Sequence, residues 1–116
     1  MVVKRIVANV QSSDPSAART FYEGVLGMRV VMDQGWIVTF AGEEVAPVQL
    51  SVAANGGSGT PLPDLSIEVD DLEEVINRLK AANILLEYGP IVEPWGVRRI
   101  YVRDPYRRLL NILQHI

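Results

Sequence analysis

The 116 residues carry the order β, α, β, β, β twice, and a chain that repeats a unit of this kind is confined to folds built from two copies of one module. In the first half, strand-like runs from Lys4 to Gln11, Met28 to Met32, Trp36 to Phe40 and Val48 to Val52 surround a helical segment between Pro15 and Gly27. In the second half, Leu65 to Val69 precedes a helix, and Ile84 to Tyr88, Arg98 to Val102 and Leu109 to Leu113 follow it. Superposing the leading strands puts Ile6 on Leu65, Ala8 on Ile67 and Val10 on Val69, and the closing strands put Gln49 on Asn111. The stretch from Ala54 to Pro63 has the turn chemistry of a connection, with Asn55, Gly56, Gly57, Ser58 and Gly59 in a row. The reading is an α+β chain of one domain, residues 1–116, with modules at about 3–53 and 63–115. A ferredoxin-like unit is the alternative, but it has only about four strands per chain.

Both helices carry end signals. For the first, Asp14 or Ser13 can cap, Pro15 suits the opening position, Ala18, Phe21, Tyr22 and Val25 make one apolar stripe, and Gly27 closes. For the second, Asp70 and Asp71 precede Leu72, Val75, Ile76 and Leu79; Glu73 and Glu74 lie in the first turn, Arg78 and Lys80 in the last, and Asn83 can take the left-handed closing position. The net charge of −3 gives no excess of cations for a phosphate backbone, so nucleic acid is not an expected partner. With no cysteine and one histidine, His115, thiolate and imidazole-rich metal sites are excluded, and so are cysteine nucleophiles. No apolar run has the length of a membrane span or of a signal h-region, so a cytoplasmic protein with no membrane partner is expected.

Side chains alternate along a strand, so each strand divides into two faces. Ile6, Ala8, Val10, Val48, Leu50, Val52, Leu65, Ile67, Val69, Leu110 and Ile112 form the face expected beneath the helices. The opposite face carries Arg5, Val7, Asn9, Gln49, Ser51, Asp64, Ser66, Glu68, Arg99, Tyr101, Arg103, Asn111 and Leu113, and is mostly polar. Such a face is either the solvated back of an antiparallel sheet or the lining of a polar cleft.

The segment NVQSSDPSAARTFYEGVLG, together with EVDDLEEVINRLKAANILLEYGP and the late DPYRRLLNIL, resembles the vicinal oxygen chelate superfamily, the group of glyoxalases, bleomycin-resistance proteins and extradiol dioxygenases. The resemblance covers nearly the whole chain. It implies two βαβββ modules in a curved, cup-shaped mixed sheet with helices on the convex face, commonly assembled as a homodimer with the cleft between modules. Metal-dependent relatives place ligands at positions that match Arg5, Gln49, Asp64 and Asn111 here. Of these, Asp64 alone is a good anionic donor, and an arginine repels a divalent cation, so no metal and no other cofactor is expected. Asp104-Pro105-Tyr106-Arg107 also departs from the relatives' usual Asp-Pro-Asp-Gly.

The expected function is metal-independent binding of a small organic molecule, aromatic or antibiotic-like, on a polar floor of Arg5, Gln49, Asp64, Arg99, Tyr101 and Asn111 beside Trp36 and Trp95. Arg5 and Asp64 are expected to pair in place of the metal. The alternative is a lyase, isomerase or dioxygenase-like enzyme in the same cleft, with Glu68 and Tyr101 as the candidates for proton transfer and Arg99 to polarise an oxygen. Arg98, Arg99, Arg103, Arg107 and Arg108 offer a cluster for an anionic group, and His115 reads as a tail residue.

Overall fold

Strand pairing follows the repeat. In a computed structural model, which describes residues 1–25, 27–42 and 49–116, the chain divides into two compact units, Met1–Ile6 with Pro63–Ile116 and Val7–Leu62. The strands are β1 (Val3–Gln11), β2 (Arg29–Asp33), β3 (Ile37–Ala41), β4 (Gln49–Ala53), β5 (Leu65–Val69), β6 (Tyr88–Glu93), β7 (Val97–Arg103) and β8 (Leu109–His115). The helices are a 3-10 turn at Pro15–Ala18, α1 (Arg19–Tyr22) and α2 (Leu72–Ala81). The expected strand start at Val48, its place on the apolar face, and Leu26 of the helix-one motif lie outside the described residues. Among the described residues no helix is long and apolar enough to cross a membrane.

In the unit of residues 63–116, β5 runs parallel to β8 with Ser66 opposite Asn111 and Glu68 opposite Leu113. Antiparallel β7 follows, with Arg99 opposite Leu113 and Tyr101 opposite Asn111, and then β6. Backbone bonds between Val2 and Asp70, and from the Val2 N–H to Asp70 Oδ1 at 2.6 Å, tie the chain start to this unit. In residues 7–62 the order is the same: β1 runs parallel to β4, and β3 and β2 follow antiparallel. The α+β class and the doubled βαβββ order are therefore as the sequence predicts.

Helix α2 forms as its end signals require. The Asp71 carboxylate accepts from the Glu74 N–H at 3.1 Å, and Asn83 takes the closing φ of 58°. Its Leu72 and Val75 pack with Val69, Ile100, Val102 and Ile112, and Ile67 and Leu110 border that cluster, so the predicted apolar face of this unit is the one the helix covers.

Three expectations change. The first helix is a 3-10 turn and a single α turn, because a segment this short depends on tertiary cover and β3 and β4 cover only part of its stripe. No side chain of Asp14 caps it; the Ser12 hydroxyl accepts from the Asp14 N–H instead. Ala18 and Tyr22 reach the Val38, Phe40 and Val52 cluster, whereas Phe21 and Val25 stay 53% and 68% exposed. Second, the turn packs on β3 and β4, so the strip expected beneath a helix on β1, Ile6, Ala8 and Val10, is exposed and Val7 is buried instead. Third, Ile84–Leu86 is not strand. The Ile84 N–H returns to the Leu79 carbonyl, Leu86 tucks against the α2 core, Leu85 is in solvent, and the strand begins at Tyr88. Residues 55–60 form the turn their composition predicts, with Asn55 Oδ1 accepting from Gly57 and Gly56 and Thr60 joined by a backbone bond.

Candidate functional site

The polar face of the unit of residues 63–116 is largely buried. Arg99 is 3% exposed, Tyr101 2%, Glu93 4% and Asn111 8%. Arg99 sits on β7, and its Nε and Nη2 donate to Glu93 Oε2 at 3.0 and 2.6 Å while Nη1 donates to the Tyr101 hydroxyl at 3.0 Å. The rings of Tyr88, Trp95 and Tyr101 surround the guanidinium, its central carbon 4.9–5.4 Å from their centroids. The Tyr88 hydroxyl also donates to Glu93, at 3.2 Å. An arginine in this setting is held by a carboxylate and by ring quadrupoles together, which fixes its plane.

Asn111 lies beside this box on β8. Its Nδ2 donates to the Ser66 hydroxyl at 3.1 Å, and among the described residues its buried Oδ1 has no hydrogen-bond partner. Asp64 is exposed, and its carboxylate accepts from the Leu109 N–H at 3.2 Å. The Arg5 partner is therefore not Asp64. Arg5 Nε donates to Glu68 Oε1 at 2.6 Å, and Glu68 Oε2 also contacts His115 Nδ1 at 3.0 Å and lies 3.9 Å from Lys4 Nζ. Alternation does not distinguish Asp64 from Glu68; Glu68 lies within β5, whereas Asp64 stands before the strand begins and accepts from the backbone of Leu109.

Burial opposes ionisation of Glu68, but the hydrogen bonds and charges of Arg5 and His115 outweigh it and hold the carboxyl below its ordinary value. A group depressed in this way is a poor proton acceptor at neutral pH, which weakens its candidacy for proton transfer. The stability contributed by ionised Glu68 is fully present above the unfolded pKa near 4.5 and is lost as pH falls through the lower folded value. Glu68→Gln is expected to flatten the acid limb of a stability-against-pH curve measured by urea unfolding from pH 7 downward; an unchanged limb would show that this carboxylate is not favoured in the folded state.

The arginines do not form one anion-binding cluster. Arg98 pairs with Glu73, Arg99 with Glu93 and Arg103 with Glu87, each on a different neighbour. Gln49 and Trp36 belong to the other unit, where Gln49 starts β4 and the Trp36 carbonyl accepts from Ala54. There the polar face is completed by a 2.7 Å bond between the buried hydroxyls of Thr39 and Ser51. Glu93, Tyr88 and Thr39 were not singled out from sequence. Alternation alone would put Tyr88 and Glu93, five residues apart, on opposite faces of β6; a register shift between Tyr88 and Ile91 brings both to the face of Arg99 and Tyr101, and His115, read as a tail residue, is a partner of Glu68.

The donor set does not fit the divalent metal of the family's metalloenzymes. Arg5 and Asn111 supply a cation and one amide oxygen, the Asp64 carboxylate is engaged by backbone, and among the described residues no three His, Asp or Glu converge on one point.

Residues 4–112 match the family model described as Glyoxalase/Bleomycin resistance protein/Dioxygenase superfamily. Among solved structures, the chain is similar to a Legionella pneumophila protein described as an NAD-dependent benzaldehyde dehydrogenase, with a TM-score of 0.76 at 16% identity over 97% of this chain and 100% of that one. It is also similar to methylmalonyl-CoA epimerase from Mycobacterium tuberculosis, with a TM-score of 0.69 at 19% identity over 98% and 89%. A glyoxalase/bleomycin resistance protein/dioxygenase superfamily member from Vibrio splendidus gives 0.62 at 19% over 97% and 99%. At these identities the likeness is one of fold.

Proposed function

We propose, on the premise that the chain belongs to the glyoxalase/bleomycin resistance protein/dioxygenase superfamily, that it binds a small organic molecule with a flat or aromatic part, without a metal, on the polar face around Arg99, Tyr101, Asn111 and Trp95. The observation that carries this reading is the burial of that face. A solvated sheet back would leave Glu93, Arg99 and Asn111 in water, whereas these side chains are withdrawn from it and all but one of their polar contacts are built. Preorganised polar groups with an aromatic wall are the usual lining of a site that orients a small molecule. Arg5 and Asp64 border the face, Arg5 through Glu68 and Asp64 through Leu109.

The experiment is a titration of aromatic small molecules followed by tryptophan emission in Trp36→Phe, which leaves Trp95 as the reporter. Emission is expected to change on binding; a silent Trp95 while calorimetry records binding would remove the wall from the site.

A second copy of the chain is the protein partner in this reading. Ile6 and Val10 on β1 remain 55% and 41% exposed, and pairing with another chain would withdraw them from water. Sedimentation at micromolar concentration is expected to show a dimer, which Ile6→Lys with Val10→Lys converts to monomer; a monomer in the unaltered protein would remove this partner.

A further inference from the structure

Asn111 Oδ1 is a buried acceptor that the fold leaves unsatisfied among the described residues. It lies on β8 between Tyr101 of β7 and Ser66 of β5, in a residue 8% exposed, and among the described residues it has no hydrogen-bond partner. A carbonyl oxygen withdrawn from water and left unpaired is costly, so its free state is one that an incoming donor improves. At its other end the same side chain donates from Nδ2 to the Ser66 hydroxyl, which leaves the oxygen on the opposite side of the amide.

Charge narrows what that donor belongs to. The guanidiniums of this face are each matched by a carboxylate, Arg99 by Glu93, Arg5 by Glu68 and Arg103 by Glu87, so an anionic ligand would meet these acids as well as the bases. An amide oxygen accepts and never donates, which disfavours carboxylates and other acceptor-only groups at this point. We infer that this site takes a neutral aromatic molecule bearing an O–H or N–H donor, a phenol or an aryl amide, with that donor on Asn111 Oδ1. The inference rests on the binding reading above and adds the ligand's polarity to it.

Phenol, anisole and benzoate test it, as one ring carrying a donor, a capped acceptor and an anion. Dissociation constants come from nuclear magnetic resonance titration of the labelled protein, with the side-chain amide signals of Asn111 as the local reporter. Phenol is expected to bind about tenfold tighter than anisole or benzoate and to shift the Asn111 signals, in line with satisfying one buried acceptor. Asn111→Asp keeps an acceptor and is expected to keep the preference, and Asn111→Leu is expected to bring the phenol-to-anisole ratio close to one. The second variant also removes the size of the anisole methyl as an explanation, because a steric preference would survive it.

Equal binding of phenol and anisole, tighter binding of benzoate, or a preference unchanged in Asn111→Leu would overturn the donor assignment while leaving the binding reading intact. If none of the three perturbs Trp95 or any resonance of this face, both fall, and the Asn111 oxygen is met by water alone.

Discussion

Glu93→Ala is expected to destabilise the protein by about 3–5 kcal/mol, the usual cost of removing one partner from a buried ion pair. Both side chains of the Glu93 and Arg99 pair are almost wholly withdrawn from solvent, at 2% and 3% exposure, so the guanidinium left behind could not recover its hydration without opening the face. The Tyr88 hydroxyl would lose its acceptor in the same step. Ring contacts from Tyr88, Trp95 and Tyr101 would hold the cation in place without neutralising it. Arg99→Met should cost a similar amount, because it strands the carboxylate. The double variant Glu93→Leu with Arg99→Met is expected to regain most of the loss, since no unpaired charge remains. Urea unfolding of the three variants measures this; a single-variant loss below about 1 kcal/mol would mean that water reaches the pair.

Phe40→Ala is expected to cost about 3–5 kcal/mol, and Phe21→Ala to stay within about 0.5 kcal/mol of the unaltered protein. The two rings differ in burial. Phe40 is fully buried between Val38 and Val52, and Tyr22 lies against it with ring centroids 5.3 Å apart. Phe21 touches Tyr22 edge-on but is 53% exposed, because the first helix ends after one α turn. A helix of the length its apolar stripe suggests would bury both, and Phe21→Ala would then cost several kcal/mol. Thermal melts of the pair therefore distinguish the short turn from a full helix.

Helix α2 was legible because every signal for it lies within a few residues of the part it governs. Asp71 meets the Glu74 N–H three positions on, and Asn83 turns the chain by its own φ. The shortened first helix was not legible from its stripe. Ala18, Phe21, Tyr22 and Val25 have helical spacing, and what decided the outcome was how much of that stripe β3 and β4 could cover. The same distinction holds at the site. Alternation alone put Arg99, Tyr101 and Asn111 on one face, and the register of β7 and β8 agrees. Which carboxylate meets which arginine did not follow, because that depends on where β5 and β6 begin.

The sequence by itself determined the doubled βαβββ order and the apolar face under α2, since these rest on residue type, period and caps. Tertiary structure decided that Arg5 pairs with Glu68, that Glu93 closes the box around Arg99, and that Asn111 keeps a buried oxygen without a partner among the described residues. Those outcomes need strands far apart in the chain to lie side by side in one register. A shift of one residue sends each of these side chains to the other face, so no local pattern could have specified them.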